Sequence, residues 1–280
     1  MKLFIPPVNI RNLHRLQRKD YSNISPEELQ SVKNKISKLT RGKPEVTIAL
    51  IAHNEEKNLF GCLASLAESN VDFPIEIVVV NNASTDGTEQ IIADLGVNGV
   101  YEARKGYGFA RQRGLDEARG KIVVTGDADT IYSSEWITEM VNPLQKRHIK
   151  CTTSLHASLS EDDRYSPGLI VYQYFKLGTW LLKQRKRPHL NCGGASMAYR
   201  KKDALHIGGY KTDGSRGEDG DLAYKLDQLG DIKLVTSKNA VIYTSMRRVE
   251  ADGSLLRAFM IRFRYRIKHL DSFLYADKTG

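Results

Sequence analysis

Short apolar runs alternate with helix-like segments through the first half of the chain. Val46–Ile51, Ile75–Val80 and Lys121–Thr125 are mostly β-branched or apolar, as is typical of strands that are buried on both faces. Segments with helical spacing of apolar residues lie between these runs: 58–66, 88–95 and 108–119. Strands that alternate with helices predict an α/β fold with a mostly parallel sheet flanked by helices.

The second half of the chain has a less regular pattern. Apolar and aromatic residues in Leu169–Leu182 predict a helix, and Asn191–Tyr199 predicts a strand with a glycine turn. An acidic start at Glu218 predicts a helix that reaches about Leu229, and Val241–Thr244 predicts a late strand.

A helix start precedes the first strand. Ser25 can cap a helix whose first residue is Pro26, and apolar residues then recur at helical spacing as far as Leu39. We therefore predict that residues 1–43 form an N-terminal extension with one amphipathic helix.

Composition limits the classes of protein that the chain can represent. Its 280 residues are 41% hydrophobic, which is enough for a large core. The three cysteines are widely spaced and form neither a zinc pattern nor a disulfide framework, which favours a reducing compartment. The N-terminus lacks the pattern of a signal peptide, and no apolar run approaches the roughly 18 residues of a membrane span. We expect a cytoplasmic protein, either soluble or peripheral on the cytoplasmic face of a membrane.

The positive charge is concentrated at the two ends of the chain. Residues 1–43 hold ten Lys or Arg against three Asp or Glu, and residues 246–280 hold eight against four. Because the total net charge is +9, the central residues together carry −2. A nearly neutral body argues against a nucleic-acid partner, whereas basic ends suit an anionic membrane surface.

Two carboxylates follow the third predicted strand. Asp127 and Asp129 are two positions apart, and strand geometry sends residues i and i+2 to the same side. Mg²⁺ and Mn²⁺ typically bind one or two carboxylates together with substrate phosphates and water. The pair therefore predicts a Mg²⁺ or Mn²⁺ site, and an acidic turn before a helix is the alternative.

Five blocks, in this order, resemble the family 2 glycosyltransferases of the GT-A fold. The resemblance extends from about Val46 to Arg248, and its blocks are 51–59, 80–88, 105–114, 127–129 and 217–222. It implies transfer of a sugar from a nucleotide-diphosphate sugar to an acceptor hydroxyl, with inversion at the anomeric carbon. It also implies that Asp127 and Asp129 hold the metal, with Asp127 also near the donor, and that Asp219 is the catalytic base beside Glu218.

The resemblance further assigns residues to the donor site. Those implied to contact the donor are Asn54, Glu55, Asn82, Asp86, Lys105, Arg111, Gly193 and Gly194. Alternatives remain for three of these assignments. Asp86 can instead organise its own turn, Arg111 can be a surface arginine, and the glycine pair can form a strand bulge. Asn81 stands where the family often has Asp, a departure that affects the contacts to base and ribose.

The C-terminal residues read as a basic amphipathic helix over 249–280. Its apolar face is Leu256, Phe259, Met260, Phe263, Ile267 and Leu270, and its flanking cations are Arg257, Arg262, Arg264, Arg266 and Lys268. Such a helix either lies in a membrane interface or packs on the catalytic domain.

These observations predict a nucleotide-sugar-binding half over 44–150 and an acceptor-binding, catalytic half over 151–248. The predicted function is metal-dependent, inverting glycosyl transfer to a glycan or lipid-linked acceptor. Two alternatives are a sugar-1-phosphate nucleotidyltransferase and a catalytically inactive nucleotide-sugar-binding protein. The first would need a glycine-rich phosphate loop, and Ile51–Glu55 contains no glycine.

Overall fold

A computed structural model of the chain describes residues 3–159 and 167–245. The predicted C-terminal helix over 249–280 lies outside the described residues. The helices are α1 Val8–Gln17, α2 Pro26–Leu39, α3 Leu59–Ala67, α4 Thr88–Leu95, α5 Tyr107–Glu117, α6 Trp136–Val141, α7 Pro167–Lys186, α8 Lys201–His206 and α9 Glu218–Asp227. The strands are β1 Val46–Ala52, β2 Ile75–Asn81, β3 Asn98–Tyr101, β4 Ile122–Asp127, β5 Thr130–Ile131, β6 Ile149–Ser154, β7 His156–Leu159, β8 Met197–Arg200, β9 Asp231–Val235 and β10 Ile242–Ser245.

A seven-stranded sheet with the order β3-β2-β1-β4-β8-β6-β9 forms the centre of the molecule. Strands β3, β2, β1 and β4 are parallel, and β8 alone runs antiparallel to its two neighbours, β4 and β6. A smaller sheet has the order β5-β10-β7. This architecture confirms the predicted α/β fold with a mostly parallel sheet.

Strand β1 shows why the strands in the first half of the chain could be predicted from the sequence. All seven of its residues are buried, and helices cover both of its faces. Ile48 and Leu50 pack in the cluster that contains α3 and α4, whereas Ala49 packs in a cluster with α5 and α9. A strand buried on both sides has no polar alternation, so its continuous apolar run is the expected pattern.

The N-terminal residues pack on the domain through two helices, so the prediction of one helix there was wrong. Helix α2 begins at the predicted Ser25 cap, which forms a capping box: Glu28 N donates to Ser25 Oγ and Ser25 N donates to the Glu28 side chain. The additional helix, α1, buries Ile10, His14 and Gln17. Because two of these three buried side chains are polar, the sequence of α1 lacks the apolar periodicity that predicts an amphipathic helix. A Cβ at Gly61 of α3 would lie 2.5 Å from Gln17 Cα, so this glycine permits the close helix crossing.

Two other features differ from the sequence prediction. The strand predicted over Asn191–Tyr199 begins only at Met197, because Ser196 N donates to Gly193 O (3.0 Å) in a turn. The predicted division at residue 150 falls inside β6, which belongs to the central sheet. Within residues 3–159 and 167–245, no helix is both long enough and apolar enough to cross a bilayer.

Candidate active site

Two adjoining cavities lie at the carboxyl ends of the central parallel strands, where open α/β sheets bind ligands. The first, of about 210 Å³, is lined by Ile51, Ala52, His53, Glu55, Asn82, Lys105, Gly106, Tyr107, Ala110, Asp127, Ala128 and Asp129. The second, of about 620 Å³, is lined by Tyr107, Arg111, Asp127, Asp129, His156, Gly193, Gly194, Ala195, Arg216, Gly217, Glu218, Asp219 and Thr244. Asp127 and Asp129 line both cavities and so mark their junction.

The backbone around Asp127 is held by close packing. Asp127 ends β4 and lies in register with Ile51 of β1. Its backbone N–H donates to Tyr132 Oη (2.9 Å), and Tyr132 is fully buried. A Cβ at Gly126 would lie 2.5 Å from that same hydroxyl oxygen, so only glycine lets the strand pass Tyr132. The tight turn that follows carries Asp129 into the junction.

The carboxylate oxygens at the junction are suitable ligands for a hard divalent cation. Asp127 and Asp129 offer carboxylate oxygens on either side of Ala128, and such oxygens suit Mg²⁺ or Mn²⁺. In the described parts of the chain, no group of three or more His, Cys, Asp or Glu side chains forms a metal site. A cation held by this pair would therefore take its remaining ligands from substrate phosphate and water.

Arg111 connects the metal motif with the predicted base. Its guanidinium donates to Gly126 O (2.8 Å) and to the Asp127 carboxylate, and its Nε lies 3.5 Å from Asp219 Oδ1. The Arg111 side chain is only 3% exposed, so the alternative of a surface arginine was wrong. Burial lowers the pKa of Arg111, but Asp127 and Asp219 outweigh burial and raise that pKa above its ordinary value. Arg111 is therefore a permanent cation between two carboxylates.

Asp219 is a buried carboxylate with a raised pKa. It lies in the first turn of α9, and its Oδ2 accepts a hydrogen bond from Gly194 N (2.7 Å). Burial raises the pKa of Asp219 to about 6, with further increases from Asp127 and Glu218 and an opposing effect of Arg111. A carboxylate with this pKa is ionised at neutral pH and still basic enough to accept a proton. Glu218 is also buried and lines the same cavity.

The two glycines of the 193–194 turn have different surroundings. A Cβ at Gly194 would lie 2.5 Å from Arg111 Cζ, whereas a Cβ at Gly193 would meet nothing within 4 Å. Gly194 therefore lets the turn lie directly on the guanidinium while its N–H holds Asp219. That the backbone of Gly193 and Gly194 also contacts the sugar donor remains a prediction.

We expect Gly194→Ala to lower turnover by roughly tenfold or more, because the new methyl group must displace Arg111 and thereby both carboxylates. Gly193→Ala is the matched control, since its methyl group enters open space. Steady-state kinetics with circular dichroism of both variants would test this. Equal activity of the two variants would contradict the proposed packing role of Gly194.

The loops of the first cavity are tied together by Asn82. Its side-chain amide donates to Glu102 O (3.1 Å) and Arg104 O (2.7 Å), and its Oδ1 accepts from Gly106 N (3.0 Å). These bonds position the segment that carries Lys105, and Glu55 lines the same cavity. The structure thus brings Glu55, Asn82, Lys105 and Asp127 together around one space.

Asn54 and Asp86 lie beside these cavities rather than among their described lining residues. Asp86 Oδ2 accepts from Glu56 N (3.0 Å), and its Oδ1 accepts from Thr88 N (3.1 Å). Asn54 Oδ1 accepts from Thr85 N (2.8 Å). These contacts favour the turn-organising interpretation of Asp86 and extend it to Asn54.

Asn81 is buried behind the first cavity. Its side-chain amide donates to Glu89 Oε2 (2.5 Å), and its Oδ1 accepts from Ser84 N (3.0 Å). An aspartate at this position would set two carboxylates against each other, so the amide fits Glu89.

Sequence reasoning missed several side chains at the site: Tyr107, Tyr132, His156 and Arg216. His53 also lines the first cavity, and its Nδ1 lies 2.6 Å from Asn82 O, at hydrogen-bond distance. Burial, with a smaller effect of Lys176, lowers the pKa of His156 to about 3, so its imidazole is neutral. No short motif surrounds His156, which lies in β7 beside β10 and lines the second cavity.

Comparison with known proteins agrees with this geometry. The family model described as glycosyl transferase family 2 matches residues 47–208. The chain is similar to the low-salt glycan biosynthesis hexosyltransferase Agl6 of Haloferax volcanii, with 31% identity over 100 residues, 35% of this chain and 24% of the relative. It is also similar to the dodecaprenyl-phosphate galacturonate synthase of Rhizobium johnstonii, with 27% identity over 114 residues, 38% of this chain and 34% of the relative.

The fold is similar to that of a solved mannosyltransferase, PcManGT from Pyrobaculum calidifontis, in complex with GDP-Man and Mn²⁺. The TM-score is 0.55 at 20% sequence identity, over 91% of this chain and 76% of that structure. At this identity the likeness shows the fold alone. The chain spans about a quarter to a third of the length of the two curated relatives.

Proposed function

The chain belongs to glycosyl transferase family 2, and we propose that it transfers a sugar from a nucleotide-diphosphate sugar to an acceptor hydroxyl, with inversion at the anomeric carbon. The observation that supports this most strongly is the arrangement around Arg111. One buried guanidinium contacts both Asp127 of the metal motif and Asp219, the candidate base. Such an arrangement fixes the base relative to the position of the diphosphate.

The two cavities suit the two substrates. The first has Glu55 and Lys105 in its lining, which provide a hydrogen-bonding group and a cation for a nucleotide diphosphate, while Asn82 holds the surrounding loops. The second is larger and contains Asp219, so it suits the acceptor. With donor and acceptor on opposite sides of the junction, the acceptor hydroxyl can approach the anomeric carbon in line with the bond to the leaving diphosphate.

We assign the chemical steps to this chain's own residues as follows. Asp219 accepts the proton of the acceptor hydroxyl as the oxygen attacks the anomeric carbon. Asp127 and Asp129 would hold Mg²⁺ or Mn²⁺, which when bound neutralises negative charge on the leaving diphosphate. Arg111 keeps Asp127 and Asp219 in place and moderates the pKa of Asp219. The Mn²⁺ complex of the mannosyltransferase from Pyrobaculum calidifontis supports the choice of metal.

We further propose a glycan or lipid-linked acceptor and action at the cytoplasmic face of a membrane. The names of two relatives support these acceptor classes, one a glycan biosynthesis enzyme and the other a dodecaprenyl-phosphate sugar synthase. Thermal shifts with UDP, GDP, CDP and dTDP in the presence of Mn²⁺, followed by hydrolysis assays with the matching nucleotide sugars, would test the donor class.

Those assays also separate the proposed function from its two alternatives. Release of nucleoside diphosphate from a nucleotide sugar supports glycosyl transfer. Pyrophosphate release from a nucleoside triphosphate and a sugar phosphate would instead indicate the nucleotidyltransferase. Nucleotide binding without any turnover would indicate the inactive binding protein.

Removal of the metal is expected to weaken donor binding. We expect EDTA, and separately Asp129→Ala, to reduce the affinity for the nucleoside diphosphate by roughly tenfold or more, because the diphosphate loses a bridging cation. Isothermal titration calorimetry with and without Mn²⁺ would measure this. Asp116→Ala, at an exposed position of α5, is the control. Equal affinity with EDTA and with Mn²⁺ would rule out the metal role.

A further inference from the structure

Helix α7 presents apolar residues to solvent along one face. Val171, Gly178 and Leu182 recur at intervals of seven and four residues, which places them on the same side of the helix. Val171 and Leu182 are each 68% exposed, and neighbouring Leu181 is 48% exposed. The buried residues of α7 are Leu169 and Gln173. A surface helix normally turns its polar residues outward, so this face has the opposite pattern.

The apolar face ends in exposed positive charge. Arg185 and Lys186 lie in the last turn of α7, and both are exposed. The sequence from 167 to 190 contains five Lys or Arg and no Asp or Glu. Apolar side chains followed by such a basic end complement a surface that is apolar inside and negatively charged outside.

We propose that this face, formed by Val171, Gly178, Leu181, Leu182, Arg185 and Lys186, binds the anionic surface of a membrane. The leucines and the valine enter the boundary between headgroups and acyl chains, while Arg185 and Lys186 contact lipid phosphates. Because the cations act through screened charge, the binding weakens as salt rises. The positive charge of Arg185 and Lys186 complements anionic lipid, and for this reason the proposed binding partner is a membrane.

The inner side of α7 connects this surface to the second cavity. The rings of Trp180 and His156 meet edge to face at 5.5 Å, and Lys176 Nζ donates to His156 O (3.5 Å). His156 in turn lines the cavity that contains Asp219. One helix thickness, about 10 Å, therefore separates the membrane from the acceptor cavity. This part of the inference rests on the proposed function, and it favours an acceptor carried on a membrane lipid.

A tryptophan at position 182 would report contact directly. Leu182→Trp places an indole on the exposed face. Of the two native tryptophans, Trp136 is fully buried and Trp180 packs on His156, so the wild-type chain measured with the same vesicles gives the background. We expect a blue shift of the new indole's emission with vesicles of phosphatidylcholine and phosphatidylglycerol, and little change with phosphatidylcholine alone. Sedimentation of the full chain with both kinds of vesicle gives the affinity. The absence of any emission change while the protein sediments with anionic vesicles would overturn the proposal.

Charge reversal supplies the second test. Arg185→Glu with Lys186→Glu is expected to weaken binding to anionic vesicles by roughly tenfold or more, since each cation acts on the same leaflet. The matched control is Lys146→Glu with Arg147→Glu, an exposed pair just before β6 that carries the same change of charge. Equal loss of binding in both double variants would mean that net charge alone acts, and would overturn the proposal.

Two other outcomes would also overturn it. In the first, the double variant at Arg185 and Lys186 binds anionic vesicles normally, whereas charge reversal at Arg262, Arg264 and Arg266 abolishes vesicle binding. The C-terminal residues would then be sufficient for membrane binding. The second is a dimer that the α7 variants convert to monomer without any effect on vesicle binding. Release of nucleoside diphosphate from the sugar donor in solution should be unchanged in the α7 variants, so failure of the membrane proposal and failure of the proposed function give different results.

Discussion

Replacing Asp219 with asparagine is expected to lower turnover by roughly two or more orders of magnitude, with little change in donor affinity. The amide keeps an oxygen that can accept the Gly194 N–H bond, but it cannot accept the proton of the acceptor hydroxyl. Donor binding should persist because Asp219 lines the second cavity and the donor is assigned to the first. Steady-state kinetics together with nucleotide titration would measure both quantities.

Two residues of the same helix provide the controls. Asp221→Asn changes a half-buried i,i+4 ion pair with Lys225 (2.7 Å) and should leave turnover near that of the wild type. Glu218→Gln tests the other buried acid of the cavity. If Asp219→Asn stays active while Glu218→Gln is inactive, the base has been assigned to the wrong residue of the pair.

The same carboxylate sets the expected pH dependence. Burial raises the pKa of Asp219 to about 6, so the carboxylate is ionised above that pH and protonated below it. Because the ionised form is the base, kcat/KM should fall about tenfold per pH unit below this pKa and level off above it. A profile that stays flat from well above pH 6 to well below it would contradict the role of Asp219.

Replacing Arg111 with methionine is expected to damage both activity and stability. The substitution leaves the carboxylates of Asp127 and Asp219 without their shared cation and removes a donor from Gly126 O. Removal of one partner from a buried ion pair typically costs about 3–5 kcal/mol of folding free energy. We expect turnover to fall roughly a hundredfold or more, because base and metal site both lose their positions. The pKa of Asp219 should also rise, since Arg111 opposes that increase.

Urea unfolding, kinetics and the pH profile would test this prediction. Arg113→Met is the control on the same helix, where the arginine makes an exposed pair with Glu117 (2.9 Å) that contributes about 1 kcal/mol or less. Arg111→Lys keeps the charge but cannot reach several acceptors at once, so an intermediate effect is expected. If the methionine variant is as stable and active as the wild type, Arg111 does not organise the site.

Local sequence was sufficient for the elements of the first half of the chain. Strands β1, β2 and β4 lie within a residue or two of their predicted bounds, and α4 matches its prediction from Thr88 to Leu95. These elements are short, strongly apolar and bounded by polar loops, so their pattern depends little on distant residues. The motifs in their loops also indicated the family, which the match over residues 47–208 confirms.

Elements that depend on distant partners were missed or were given the wrong bounds. Helix α1 buries His14 and Gln17, and because these residues are polar, the sequence does not indicate that they face the interior. Gln17 packs against Gly61 of α3. Strand β8 was predicted from Asn191 but begins at Met197, and its four residues are held between β4 and β6, which are distant in sequence. Long-range pairing of this kind leaves little local signal.

By itself, the sequence determined the α/β architecture, the family and the identity of the acidic residues at the junction. Periodicity and short motifs carry this information because burial on a sheet and metal binding each require particular residue types within a few positions. The tertiary structure decided what Arg111 contacts and which face of α7 stays exposed. Arg111 lies 16 positions from Asp127 and 108 from Asp219, and only the insertion of β8 beside β4 brings the Gly194 turn and α9 against it. Separations of that size are set by how strands pair and how helices pack on them, and no local pattern records them.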